Sequence, residues 1–475
     1  MITIYNSFTR QKETFEPREP GKVGIYVCGM TVYDYCHIGH ARAMIVFDMV
    51  VRYLRERGFE VNYVRNITDI DDKIIRRAAE NNEPVDDLTA RFIDAMHEDE
   101  RMLGILPPDS EPRATGHIDQ IVAIIQNLMD KGFAYQGTNG DVYFAVRKFP
   151  NYGHLSGQSV DDLRSGARIE ADEAKNDPLD FVLWKLAKPG EPQWDSSWGA
   201  GRPGWHIECS AMASACLGEI FDIHGGGLDL KFPHHESEIA QSECASGNKF
   251  ANLWMHNGHV QIDNEKMSKS LGNFFTIREI LEQDSQPHRM GECIRYMMLA
   301  SHYRGPLGFS KTVLDNAKAA LTRMYLALQK LEEIAMADDT PPATSYTERF
   351  QTVMNEDFNT PEALAVLFDA VRDLNAAIDA NDNEKAQLIG SELKHLGDVL
   401  GILQQRPNVF LGSDVAADEL IGGRNRAEID VLVAQRDSAR SAKDFALADK
   451  IRAELDELGI VIEDVHGGST KWRLR

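Results

Sequence analysis

Apolar and polar positions fall into three successive patterns along this chain. Residues 23–28 (Val-Gly-Ile-Tyr-Val-Cys) are almost continuously apolar, as in a strand covered on both faces. A loop containing glycine and threonine follows. Apolar residues then recur at helical spacing over about 41–57, and Gly58 supplies a stop. Residues 60–67 alternate as a second strand. Strand, helix and strand in that order predict a parallel βαβ unit.

From about 118 to 200 the pattern changes. A helix near 118–131 precedes a strand at 141–146, and a polar stretch runs into the Gly-, Pro- and Trp-rich segment 188–205. This reads as an insertion into the α/β domain. The strand-like run 220–224, followed by Gly225, Gly226 and Gly227, then resumes the sheet. Beyond about residue 310 the spacing is helical, clearest over 317–335 and 361–378, which predicts a bundle. The periodicity breaks around Pro407 and Gly412. Two further helices are expected at about 428–443 and 445–458, with a stop at Gly459. The strand-like run 460–464 and Trp472 follow.

At 475 residues and 43% hydrophobic composition, the chain has room for two to four domains with a sizeable core. It has no run of ~18 apolar residues, so a membrane span is not expected. The first seven residues have no basic-then-apolar signal, and a cytoplasmic protein is the expectation. Six cysteines spread over this length predict free thiols or metal ligands rather than a disulfide framework.

The net charge of -23 argues against a generally basic, phosphate-binding surface. The charge is uneven, however. Residues 331–420 hold 18 acidic and 5 basic side chains, a net of -13, whereas residues 421–475 hold 10 of each. A local basic face near the C-terminus is compatible with that neutrality.

Three groups of residues carry chemistry. Cys28, Cys209, His234 and Glu238 offer thiolate, imidazole and carboxylate donors, the set that zinc accepts. His234 and Glu238 share a helix face at i,i+4; His235 with Glu238 at i,i+3 is the alternative. Cys28 ends a strand, and strand ends with their neighbouring turns converge at the carboxyl edge of a parallel sheet. Buried structural cysteines with a helix-capping histidine are the competing reading.

The second group, His37-Ile38-Gly39-His40, lies between the first strand and its helix. There, N–H groups and the helix dipole favour phosphate. Gly39 permits close approach, and two imidazoles can donate to an α-phosphate. The third, Lys266-Met267-Ser268-Lys269-Ser270, has two ammonium groups able to neutralise a leaving pyrophosphate. Each motif is short, but together and in this order they are specific.

The two motifs resemble the paired active-site sequences of class I aminoacyl-tRNA synthetases, and the metal set narrows the resemblance to the cysteinyl-tRNA synthetases. Tyr26-Val27-Cys28-Gly29-Met30-Thr31, Arg65-Asn66-Ile67-Thr68-Asp69, Gly204-Trp205-His206-Ile207-Glu208-Cys209, His224-Gly225-Gly226-Gly227-Leu228-Asp229 and Asp357-Phe358-Asn359-Thr360-Pro361 extend it over the whole chain.

The resemblance implies an α/β Rossmann-type catalytic domain at 1–310, with a connective insertion at about 118–200 and the second-motif loop at 266–270. A helical bundle at 311–405 and a small anticodon-binding domain at 416–475 would follow. It also implies one zinc ion per chain on Cys28, Cys209, His234 and Glu238. ATP with Mg2+ would be held by His37, Gly39, His40, Lys266, Ser268 and Lys269, with Thr68, Trp205 and Asp229 as further substrate contacts. The implied partners are L-cysteine, ATP and tRNA(Cys), with no membrane, and a monomer is expected.

The implied reaction activates cysteine as cysteinyl-adenylate, then transfers it to the tRNA 3′ end. His37, His40, Lys266 and Lys269 would be catalytic and zinc would select the thiol. A tRNA-independent cysteine ligase of the mycothiol pathway resembles the same catalytic domain. The segment Arg436-x-x-x-Arg440-x-x-Lys443, continuing to Lys450 and Arg452, argues for the synthetase. A nonenzymatic zinc-dependent RNA-binding protein is disfavoured by the two ATP motifs.

Overall fold

Four parallel strands form the sheet that positions the site, in the order Ala251–Asn257, Phe221–Gly227, Lys22–Thr31, Glu60–Thr68. Lys22–Thr31, the first of these four along the chain, pairs with the next, Glu60–Thr68, on one side and with the much later Phe221–Gly227 on the other. Strand order therefore reverses between Lys22–Thr31 and Phe221–Gly227, the switch point at which a parallel sheet opens a ligand crevice. The computed structural model describes residues 1–159, 174–262, 265–266, 274–332, 345–412, 420–464 and 470–474.

The predicted βαβ unit is present. Ile38–Glu56 is the crossover helix, and most of its residues from Ile38 to Leu54 are buried. It ends at Arg57 because Gly58 takes a positive φ of 84°. The strand Lys22–Thr31 runs past Cys28, with an irregular pairing between Val27 and Met30. Gly29 sits at that irregularity. A Cβ there would lie 1.7 Å from the carbonyl oxygen of Asn66, so only glycine lets the two strands approach.

The insertion is an antiparallel sheet of Ala134–Gln136, Val142–Phe144, Phe181–Leu186 and Gly201–Pro203. Phe144, Leu155 and Trp184 from this region share one apolar core with Tyr26 and Val64 of the parallel sheet. The helix Trp205–Leu217 leaves the insertion and packs beneath the parallel strands.

The chain divides into two compact units. One comprises residues 1–314, 348–365 and 399–401; the other comprises 315–347, 366–398 and 402–475. The second contains long helices and a small terminal module. In that module the helices Arg426–Ser441 and Phe445–Glu457 pack with the hairpin Ile460–Asp464 and Thr470–Leu474 around Ile429, Leu432, Ile451 and Leu455. Among the described residues no helix is long and apolar enough to cross a membrane.

Candidate active site

Cys28, Cys209, His234 and Glu238 come together, each offering one donor atom within 4.8 Å of the others. Cys28 is supplied by the first parallel strand, at its irregularity. Cys209 lies in the helix Trp205–Leu217, which is buried through Ile207–Ala213 and has no polar face to reveal its period in the sequence. His234 lies in the kinked turn Lys231–His235, which leads directly into the helix Glu236–Ser246 carrying Glu238.

The contacts are those of a crowded donor set. Cys28 Sγ lies 3.2 Å and His234 Nε2 3.0 Å from Glu238 Oε1. The other carboxylate oxygen, Oε2, is 2.8 Å from His224 Nε2. A second donor group, Cys28, His224, His235 and Glu238, overlaps the first. His235 is less favourably placed in it: Nε2 is 4.0 Å from Glu238, and Nδ1 pairs with His256 Nε2 at 2.9 Å.

Electrostatics match a cation site. Burial pushes the Cys28 thiol well up, and Cys209 and Glu238 push the same way. Burial also raises Cys209, but its bond with Cys28 and the neighbouring His234 bring it to about 6. For Glu238, burial is overcome by His224 and His234, which hold the carboxyl well below its usual range. Burial lowers His234 while Glu238 and Cys209 lift it to about 10. Three acidic groups share one buried space, and a divalent cation would relieve their mutual repulsion.

The outer wall is Trp205, 38% exposed, whose ring stacks on His234 with centroids 4.2 Å apart. His206 Nδ1 lies 2.8 Å from His234 Nδ1. Thr68 is buried at the end of Glu60–Thr68, and its carbonyl accepts the N–H of Val32. Asp229 lies just beyond Phe221–Gly227; its carboxylate is the nearest group to a Cβ built on Gly227, at 2.5 Å.

His37 caps the helix Ile38–Glu56 that follows the strand bearing Cys28, and His40 lies in the first turn of that helix. His37 is the extended N-cap of Ile38–Glu56, and its Nδ1 accepts the N–H groups of Gly39 and His40 at 3.1 and 3.3 Å. His40 Nδ1 accepts the N–H of His37 at 3.1 Å. The two rings stack with centroids 3.5 Å apart. Because each Nδ1 is an acceptor, each ring carries its proton on Nε2.

The backbone of Lys266 pairs with Gln261 in a short antiparallel ladder. Ser268 and Lys269 lie outside the described residues. The sequence reading missed two members of the site. His224 braces Glu238, and Asn66 Oδ1 accepts the N–H of Gly29 while lying 3.7 Å from Cys209 Sγ. Both point inward from parallel strands.

Comparison with known proteins decides the family. A model described as the tRNA synthetases class I (C) catalytic domain matches residues 14–319, a DALR domain matches 349–404, and a cysteinyl-tRNA ligase anticodon binding domain matches 425–473. The chain belongs to the cysteinyl-tRNA synthetases. It is similar to the cysteine–tRNA ligases of Alkalilimnicola ehrlichii and Halorhodospira halophila, at 59% identity to each. The alignments cover 100% of this chain and 100% and 99% of those proteins.

This member of the family is therefore an enzyme, a cysteine–tRNA ligase. Its fold is that of class I: Mycobacterium tuberculosis methionyl-tRNA synthetase, solved with methionyl-adenylate, superposes with a TM-score of 0.58 at 14% identity. That likeness covers 82% of this chain and 93% of the other.

Proposed function

We propose that the synthetase recognises its amino acid through a zinc ion held by Cys28, Cys209, His234 and Glu238, beside an ATP site built on His37 and His40. The observation that carries this reading is the convergence of those four donors within 4.8 Å of one another. Zinc, when bound there, supplies a soft Lewis-acid position for the substrate thiolate. Serine's hydroxyl is harder and scarcely ionises, so the donor set disfavours it. A pocket that sensed only size would gain ~1–3 kcal/mol between such substrates.

His234 is preferred over His235 because its Nε2 faces Glu238 at 3.0 Å, whereas His235 is engaged by His256. Trp205 closes the outer side of His234, and Thr68 and Asp229 line the same strand ends as candidate contacts for the rest of the amino acid.

In the first step the cysteine carboxylate oxygen attacks the α-phosphorus of ATP, and the bond to the bridging oxygen of pyrophosphate breaks. His37 and His40 donate from Nε2 to the α-phosphate as its charge grows. Lys266 and Lys269 carry the leaving phosphates, with Ser268 beside them and Mg2+ accompanying ATP. Gly39 leaves room for the nucleotide. In the second step the terminal ribose hydroxyl of tRNA(Cys) takes the cysteinyl group and AMP leaves.

In this reading the catalytic domain is residues 1–310 with its insertion at about 118–200. The tRNA-binding bundle is 311–405 and the anticodon-binding domain 416–475. The enzyme acts as a monomer in the cytoplasm, where its six free cysteines suit a reducing compartment. The test is ATP–pyrophosphate exchange with L-cysteine and with L-serine, before and after zinc removal. Exchange that prefers cysteine only while zinc is present supports the reading. Equal preference without zinc contradicts it.

A further inference from the structure

Arg42 is two residues beyond His40 on the helix Ile38–Glu56 and is completely buried. Among the described residues no carboxylate pairs with it. Its guanidinium instead donates to one continuous corner of backbone: to the carbonyl of Met298, to Ser301 Oγ at 3.2 Å, and to the carbonyls of His302 at 2.9 Å, Tyr303 at 3.4 Å and Gly305 at 3.4 Å. Met298 lies in the last turn of the helix Pro287–Leu299, where unpaired carbonyls and the helix dipole favour a cation.

That corner leads to the second ATP motif. Gly258 N–H donates to the carbonyl of Tyr303 at 2.8 Å, and Leu307 N–H donates to that of His259 at 2.9 Å. Val260–Ile262 then pairs in parallel with Leu307–Phe309 and antiparallel with Glu265–Lys266. The fit is close: a Cβ on Gly258 would lie 2.2 Å from the carbonyl oxygen of Gly305. A second tie joins the first motif to residues after the second one. Ile38 N–H donates to the carbonyl of Phe275 at 3.1 Å, and Ile277 N–H to that of Cys36 at 2.9 Å.

We propose that Arg42 is a positioning residue for adenylate formation. It fixes the helix bearing His37 and His40 against the corner 298–305, and through that corner sets the strand that carries Lys266. The inference rests on the reading of His37, His40 and Lys266 as the ATP site. A buried charge without a counter-ion is an expensive way to brace a core, whereas a planar guanidinium can hold several carbonyls of one bend at fixed angles. A lysine in its place keeps the charge but not the fork.

The experiment compares Arg42→Lys with the unsubstituted full-length enzyme. Folding is followed by circular dichroism, zinc content is measured, and cysteine-dependent ATP–pyrophosphate exchange is resolved into kcat and KM. The expected result is a kcat lowered about 10- to 100-fold, as for a misplaced reacting group. The KM for cysteine should stay within about twofold and zinc content should be unchanged.

Normal exchange in Arg42→Lys overturns the proposal, because charge alone then suffices. Parallel loss of kcat, cysteine affinity and zinc also overturns it, because the residue is then only structural. Should Arg42→Lys fail to fold, Gly258→Ala loosens the same junction from the other side. It is expected to give the same kcat-specific loss, and normal kinetics there overturns the proposal. No exchange by the unsubstituted enzyme would instead strike at the reading of the ATP site.

Discussion

His37 and His40 hold each other reciprocally: each backbone N–H donates to Nδ1 of the other ring, at 3.1 and 3.3 Å. The arrangement caps the helix and fixes both rings in one tautomer at the same time. Cap and chemistry should therefore separate by mutation. His37→Asn keeps an N-cap acceptor and should leave stability nearly unchanged, while His37→Ala loses about 0.5–2 kcal/mol. Both variants lack the Nε2 donor and should lose about 2.7–4 kcal/mol of transition-state stabilisation. Thermal unfolding and single-turnover adenylate formation check the two halves.

The donor geometry predicts an order of effects on metal binding. Cys209→Ser and His234→Asn should remove most bound zinc. His224→Asn removes the partner of Glu238 Oε2 and should cost about 10–100-fold in zinc affinity. His235→Asn should do less than His234→Asn. Competition titration with a zinc chelator gives all four values.

A buried ion pair makes a separate prediction about stability. Asp48 is paired with Arg295 and, at 2.8 Å, with Arg52. Burial pushes its carboxyl up, but Arg295 and Arg52 outweigh burial and hold it below its ordinary 3.8. A carboxyl depressed on folding contributes fully above the unfolded value and loses that contribution as pH falls through the folded one. This pair should therefore be intact above about pH 4 and fail only in more acidic solution. Asp48→Asn leaves the buried Arg295 without its counter-ion and should cost about 3–5 kcal/mol at neutral pH, measured by urea unfolding.

In the terminal module the basic residues divide into two classes. Arg436 is buried and donates to Asp464 at 2.7 Å and to Thr470 at 2.8 Å, and Arg440 donates to Asp464 at 2.5 Å. These two hold the hairpin to its helix rather than face a phosphate. Lys443, Lys450 and Arg452 are exposed. Arg436→Ala should lower the melting temperature. Lys450→Ala and Arg452→Ala should instead each reduce the salt slope of tRNA binding by about one. Deleting residues 416–475 should spare pyrophosphate exchange and sharply reduce tRNA charging.

Much of the fold was legible where one face or both faces of an element are apolar. The strand at 23–28, the helix after it and the strand at 60–67 appear almost where spacing puts them, as do the two terminal helices. The hairpin Thr3–Asn6 with Gln11–Thr14 was not legible, because its second strand is polar and largely exposed. Nor were the helices Asp72–Asn81 and Val85–Met102, whose dense charges mask their apolar positions. At the site, local spacing could link His234 to Glu238. It could not reveal that His224, fourteen residues earlier on a strand, braces the same carboxylate.

The central claim, that this site holds zinc and presents it to the substrate sulfur, is tested most directly by X-ray absorption at the zinc edge of the full-length enzyme. Without substrate the account predicts two sulfur neighbours at about 2.3 Å, from Cys28 and Cys209, together with nitrogen and oxygen. On adding L-cysteine the sulfur count should rise to three, and L-serine should leave it at two. An unchanged count with cysteine, or a zinc ion with no sulfur neighbours, would contradict the account.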